Sequence, residues 1–64
     1  MEHEAKIHKL CSKISVDGFD LVDLTNELKR RFDNEEDYEE ILEDIIKVKD
    51  DVLKSVQNLK KELR

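Results

Sequence analysis

Residues 38–63 read YEEILEDIIKVKDDVLKSVQNLKKEL, and the spacing of their apolar side chains decides the fold. These side chains recur at intervals of three and four residues, the spacing of one face of an α-helix. The main set is Tyr38, Ile41, Leu42, Ile45, Val48, Val52, Val56, Leu59 and Leu63. Ile46 and Leu53 widen this face, so one neighbouring helix is not enough to cover it. Spacings of eleven residues within the set favour a straight helix over about residues 35–63.

Acidic residues crowd the start of this helix, since eight of the thirteen residues in DNEEDYEEILEDI (33–45) are Asp or Glu. At about 100° per residue, the acids fall on the side opposite the apolar face. Negative charge is also favourable near a helix N-terminus. We therefore interpret the acids mainly as a solvated helix face, with Asp33 or Asn34 as the N-cap.

A second pattern occupies residues 2–32, where apolar residues repeat every seven positions, with Leu10 and Leu24 at intermediate positions and Phe32 last. The repeating residues are Ile7, Ile14, Leu21 and Leu28. Within it, SVDGFD (15–20) contains Gly18, which can end a helix, and Asp20, which can cap the next one. The sequence predicts helices over about 2–14 and 20–32. Because the repeat keeps its phase through 15–20, the joint is either a break or a weak point in one long helix.

These patterns predict an all-α fold in which a helical hairpin, broken or kinked near 15–20, pairs into a homodimeric four-helix bundle. A compact three-helix arrangement is the alternative. The predicted oligomer core is Ile7, Leu10, Ile14, Leu21, Leu24, Leu28, Phe32, Tyr38, Ile41, Leu42, Ile45, Val48, Val52, Val56, Leu59 and Leu63. In size and layout the chain resembles small dimeric helical-hairpin regulators of the plasmid copy-control type, although no residue motif carries over.

Composition limits the classes of protein further. A chain of 64 residues forms one domain, and without a partner its core is thin. Charged residues are 45% of the chain, the net charge is −5, and there is one Gly and no Pro, which favours helix. The single cysteine excludes an internal disulfide and fits a reducing compartment, so we expect a cytoplasmic protein. No apolar stretch has the length of a membrane span.

Residues that could carry chemistry are few. Glu4, His8 and Cys11 share one helix stripe and are all zinc-ligand types, but three ligands on one helix are cramped. The acids around residue 40 spread along one helix face instead of converging on a pocket. We expect no enzyme activity, metal, cofactor or small-molecule substrate.

The remaining function is macromolecular binding by a regulator, adaptor or inhibitor that homodimerises and binds another protein. The candidate contacts are Phe19 and the acidic row, which comprises Glu36, Glu39, Glu40, Glu43 and Asp44. The alternative is a nucleic-acid-binding hairpin that uses Lys29, Arg30 and Arg31. A purely structural coiled coil is a third hypothesis. Asp17 and Lys49 interrupt the apolar faces at about the same height, either extending into water or pairing to fix the register.

Overall fold

The computed structural model describes the backbone of residues 2–64 and the side chains of residues 3–64, and these form two helices joined by a short turn. Helix α1 spans Glu2–Asp33 and helix α2 spans Glu39–Glu62. The residues described contain no strand. Near the start of α1, Lys6 forms an ion pair with Glu62 at the end of α2, and His3 Nδ1 lies 3.2 Å from the same carboxylate, so the helices are antiparallel. The hairpin is a rod of 50 × 14 × 12 Å, and the predicted all-α hairpin is confirmed.

Helix α1 runs without interruption through residues 15–20, so of the two alternatives predicted there the single long helix is correct. The break and the three-helix arrangement are wrong. Apart from Gly18 and Glu27, its half-buried positions follow a seven-residue repeat along the whole helix, at Ile7, Leu10, Ile14, Asp17, Leu21, Leu24, Leu28 and Arg31. A glycine inside a helix costs about 1 kcal/mol relative to alanine. The contacts with α2 on both sides of Gly18 outweigh that cost, and Asp20 lies inside the helix instead of capping one.

The turn between the helices is a Schellman motif centred on Glu35. Glu35 has φ of 58°, the left-handed conformation that usually carries Gly or Asn. The Glu36 N–H donates to the Arg31 carbonyl at 2.8 Å, and the Glu35 N–H donates to the Phe32 carbonyl at 3.2 Å. These bonds satisfy the last carbonyls of α1, so the chain around Asn34 ends α1 instead of starting α2. The N-cap predicted at Asp33 or Asn34 is therefore wrong.

Helix α2 begins later than predicted, at Glu39, where the backbone N–H is bonded to Asp37 Oδ1 at 3.1 Å. Apart from Asp44, its buried and half-buried positions along α1 also follow a seven-residue repeat: Ile41, Ile45, Val48, Val52, Ser55, Leu59 and Glu62. We call these and the matching positions of α1 the seam. The eleven-residue spacing seen in the sequence therefore does not describe the packing, because it included residues that face away from α1.

The core between the two helices is one layer deep. Among the side chains described, Ile41 is the only buried apolar one, at 7% exposure, and Ser55 is buried at 4%. Of the predicted core, Phe32, Tyr38, Leu42, Val56 and Leu63 are exposed, while the others lie in the seam. The Phe32 and Tyr38 rings contact each other across the turn with their centroids 6.3 Å apart. One hairpin alone thus uses only part of its apolar surface.

Candidate partner-binding surfaces

The largest unused apolar surface is a second stripe on α2. We call it the outer stripe, and its members are Leu42, Ile46, Leu53, Val56 and Leu63. Each of them follows a seam residue by one position, so the stripe lies about 100° around α2 from the seam. Exposure along it ranges from 38% at Leu42 to 64% at Leu63. An amphipathic helix with two apolar faces packs against two neighbours, and α1 supplies one of them.

The exposed area of the whole hairpin indicates how much is left uncovered. The hairpin exposes 5374 Å². A compact monomer of 7.6 kDa exposes roughly 4300 Å² by the usual scaling of area with mass. The surplus of about 1100 Å² is comparable to the roughly 800 Å² that each partner buries in a standard protein–protein interface.

A shallow apolar groove lies at the C-terminal end of the outer stripe. It is lined by Val56, Leu59, Lys60, Leu63 and Arg64. Its lining therefore combines the apolar side chains of Val56, Leu59 and Leu63 with the basic side chains of Lys60 and Arg64. This part of the molecule has room for an apolar side chain of a partner segment that also contains an acidic residue nearby.

The acidic row does not form one continuous surface. Glu36 lies in the turn, where its carboxylate is 3.3 Å from Arg30 Nη1. Glu39, Glu40 and Glu43 are exposed on the first turns of α2. Asp44 is half-buried instead and lines a cleft between the helices, together with Asp20, Asp23, Leu24, Lys47 and Val48. This division could not be predicted without knowing which side of α2 faces α1. Asp44 directly precedes the seam residue Ile45 and lies on that side.

Phe19 lies on the side of α1 that faces away from α2, and it is 72% exposed. The half-exposed Val16 and Val22 lie on either side of it. Glu39, Glu40 and Glu43 are exposed on the outward side of α2. The hairpin therefore places Phe19 and these three acids on opposite faces. Phe19 therefore does not pack within the single hairpin and is available to a partner.

The basic run is largely occupied by contacts within the chain. Glu27 accepts hydrogen bonds from both Arg30 and Arg31, with Oε1 3.0 Å from Arg31 Nε. Arg31 also donates to the Asp37 carbonyl at 3.2 Å, which ties α1 to the start of α2. The hydrogen bonds from Arg30 and then Arg31 lower the pKa of Glu27 from 4.5 to about 2. Glu27 raises the pKa of Arg30 in return. Lys29, next to them, is exposed.

The charged residues that interrupt the apolar faces do not pair with each other. Asp17 accepts a hydrogen bond from Lys13 Nζ at 3.1 Å, and its side chain is 15% exposed because it occupies the seam. Lys49 Nζ lies 3.4 Å from Asp50 and its side chain is 56% exposed, in the middle of the outer stripe. The hypothesis of a register-fixing pair between Asp17 and Lys49 is therefore wrong within the hairpin.

The side chains considered for zinc remain separate. Cys11 is an exposed free thiol. Across the part of the chain that the structure describes, no three His, Cys, Asp or Glu side chains are grouped as they would be to hold a metal ion. Nor does either of the two described helices combine the length and apolar character needed to cross a membrane.

Comparison of the chain with protein-family models, with curated proteins and with solved structures finds no match. The functional argument therefore rests on the surfaces described above.

Proposed function

We propose that this chain is a small protein-interaction module without enzyme activity, which self-associates into a helical bundle and binds a target protein through the surface of that bundle. The observation that carries the proposal is the outer stripe, an apolar helix face that α1 leaves uncovered. Exposed apolar faces of this extent in small proteins mark interaction sites. The surplus exposed area supports the same reading, because it has the size of one side of an interface.

Self-association leaves other surfaces for a target. In the hairpin, residues 17–51 contain 14 acidic and five basic residues, a net charge of −9, and they include the turn end of the rod. A strongly acidic surface favours basic partners and accelerates their association. Phe19 adds an exposed aromatic side chain, a residue type that often anchors an interface. A regulator, adaptor or inhibitor that docks on a basic protein surface fits these features.

The experiment that tests self-association is the molar mass in solution by light scattering over a wide concentration range, with helicity followed in parallel. We expect a helical dimer for the unmodified chain. Leu53→Asp places a carboxylate in the centre of the outer stripe and should shift the mass to that of the monomer at the same concentration. Asn58→Asp adds the same charge at an exposed position outside the stripe and should leave the dimer intact.

A helical monomer at every concentration would refute the proposed self-association. Equal responses to Leu53→Asp and Asn58→Asp would show that the outer stripe is not the surface involved. The target-binding part is tested separately with Phe19→Ser and with Glu36→Gln combined with Glu40→Gln. Both variants should keep the mass of the dimer. Unchanged recovery of a basic protein partner by these variants would refute the assigned target contacts.

Nucleic acid remains the alternative partner through Lys29, Arg30 and Arg31. Phosphate binding by either guanidinium group would first have to replace its contacts with Glu27. A salt titration of binding to mixed RNA and DNA decides this alternative, because each phosphate contact makes affinity fall steeply with salt. Affinity that falls steeply with salt and is lost in Lys29→Gln would favour it over the protein-binding proposal.

A further inference from the structure

We infer that a second copy of this chain covers the outer stripe, with the two α2 helices side by side and antiparallel around a two-fold axis between Leu53 and Val56. The inference rests on the proposed self-association and adds the interface, the orientation and the register. Three observations support it: the order of apolar residues in the stripe, the charges beside it, and the groove at its C-terminal end.

The order of residues along the stripe sets the register. In an antiparallel pair of helices, residues whose numbers add to a constant lie opposite each other. A sum of 109 places Ile46 opposite Leu63 of the second copy and Leu53 opposite Val56 of the second copy. The two-fold axis repeats both contacts, so four apolar pairs form along the interface. With a sum of 102, a relative shift of seven residues, Leu53 lies opposite Lys49 and Leu42 opposite Lys60, so only two of the four apolar pairs remain. The sum of 109 instead places Lys49 opposite Lys60 of the second copy, where their long side chains extend into water.

The charges beside the stripe favour the antiparallel orientation. Helix α2 begins with acidic residues and ends with basic ones, since Glu39 and Glu40 lie in its first turn and Lys60 and Lys61 in its last. The position that borders the stripe on its solvent side recurs every seven residues, at Glu43, Asp50, Gln57 and Arg64. In the antiparallel register Glu43 lies beside Arg64 of the second copy. A parallel pair would bring the acidic N-terminal ends of both α2 helices together, and their basic C-terminal ends together, and such like-charge contacts are destabilising.

The groove at the C-terminal end of the stripe fits the residues that this register brings to it. Ile46 of the second copy would lie against Leu63, next to Leu59 and Lys60, in the C-terminal part of the groove. Ile46 is 51% exposed in the hairpin, so half of its side chain is available for this contact. Glu43 of the second copy would then lie at the rim of the groove, next to Arg64. Shape and charge thus point to the same partner segment.

Orientation can be measured with spin labels at Lys47, Lys54 and Lys61. These positions are exposed, lie seven residues apart on one face of α2, and are outside the stripe. With Cys11→Ser as background, each lysine is replaced by cysteine in turn and labelled. At 1.5 Å per residue, the antiparallel register separates the two labels along the axis by about 22 Å at position 47, about 20 Å at position 61 and about 2 Å at position 54. The distance is therefore shortest at position 54.

A parallel pair gives the same label distance at all three positions, and that result would overturn the inferred orientation. A dimer that is sensitive to Leu53→Asp but gives equal distances would leave the proposed function standing and reject this inference alone. A monomer at all concentrations would reject both. Leu53→Asp should raise the dimer dissociation constant by at least about 100-fold, because both copies lose an apolar contact at the axis.

Charge exchange tests the predicted neighbours. Glu43→Lys should raise the dimer dissociation constant about tenfold at low salt, because it turns two attractive contacts into repulsive ones. Adding Arg64→Glu to the same chain should restore the affinity, since the antiparallel register again opposes unlike charges. Lack of rescue, with helicity unchanged, would show that the two positions are not neighbours.

Discussion

The backbone conformation of Glu35 gives the sharpest prediction about stability. Glu35 occupies the position of the Schellman motif where φ is positive, at 58°. A side chain in this conformation costs roughly 1–2 kcal/mol because Cβ approaches the following carbonyl, and glycine avoids the cost. Glycine also gains freedom in the unfolded chain, which offsets part of the benefit. We expect Glu35→Gly to stabilise the fold by about 1 kcal/mol.

The assay is urea unfolding followed by helicity, at one fixed protein concentration because association adds to stability. Glu35→Gln is the matched control. It removes the same negative charge from the C-terminal end of α1, where the helix dipole disfavours it, but retains a Cβ. The free energy of unfolding should be higher for Glu35→Gly than for Glu35→Gln by most of the expected gain. A gain of about 1 kcal/mol corresponds to about 4–8 °C in Tm for a domain of this size. If glutamine stabilises as much as glycine, the gain comes from charge and the reasoning about backbone strain fails.

Three further substitutions follow from the seam and the turn. Gly18→Ala should stabilise by about 1 kcal/mol in the same assay, because among the described residues nothing lies within 4 Å of the added Cβ; a loss of stability would show that another chain packs against this position. Ser55→Leu should destabilise by about 1–3 kcal/mol, since Ser55 is buried at 4% exposure and the seam has no room for a longer side chain; unchanged stability would mean that the helices separate there easily. The pKa of Glu27 is lower in the folded hairpin than its ordinary value, so its stabilising contribution is present above about pH 4.5 and lost as the pH falls towards 2. Unfolding measured against pH should show a shallower acid loss for Glu27→Gln, and an NMR titration with the Glu27 midpoint near 4.5 would contradict the assignment.

Much of the fold could be predicted from apolar spacing because α1 carries a seven-residue repeat that keeps its phase. The break considered at residues 15–20 is wrong because the prediction took Gly18 into account without the packing of the helix around it. In a 32-residue helix, the seam contacts on both sides of one glycine exceed its cost. The start of α2 was also misplaced, at about residue 35 instead of Glu39. The Schellman motif puts a glutamate in a conformation that normally indicates glycine or asparagine, so local residue preferences point elsewhere.

The two apolar faces of α2 could not be separated from its sequence alone. The seam includes Ser55 and Glu62, which are polar, so the seven-residue repeat is interrupted at those two places. Leucines and valines of the outer stripe fill the gaps and produce the apparent eleven-residue spacing. The seam of α2 could have been found by applying the seven-residue repeat of α1 to α2. Two helices that pack along their length contact each other at positions with the same repeat. The prediction of the acidic row as a single surface is wrong for a related reason. Asp44 borders the seam and is half-buried, whereas the other acids are exposed.

The single layer of contacts between the helices also has a kinetic consequence. Near the turn, Arg31 reaches Asp37 across a loop of six positions, whereas the ion pair of Lys6 with Glu62 closes a loop of more than fifty. Closing the longer loop costs about 2 kcal/mol more chain entropy if it forms first. Folding is therefore expected to start at the turn and proceed towards the termini, one pair of helical turns at a time. Hydrogen exchange should be slowest in the turn-proximal part of both helices and fastest near the chain ends.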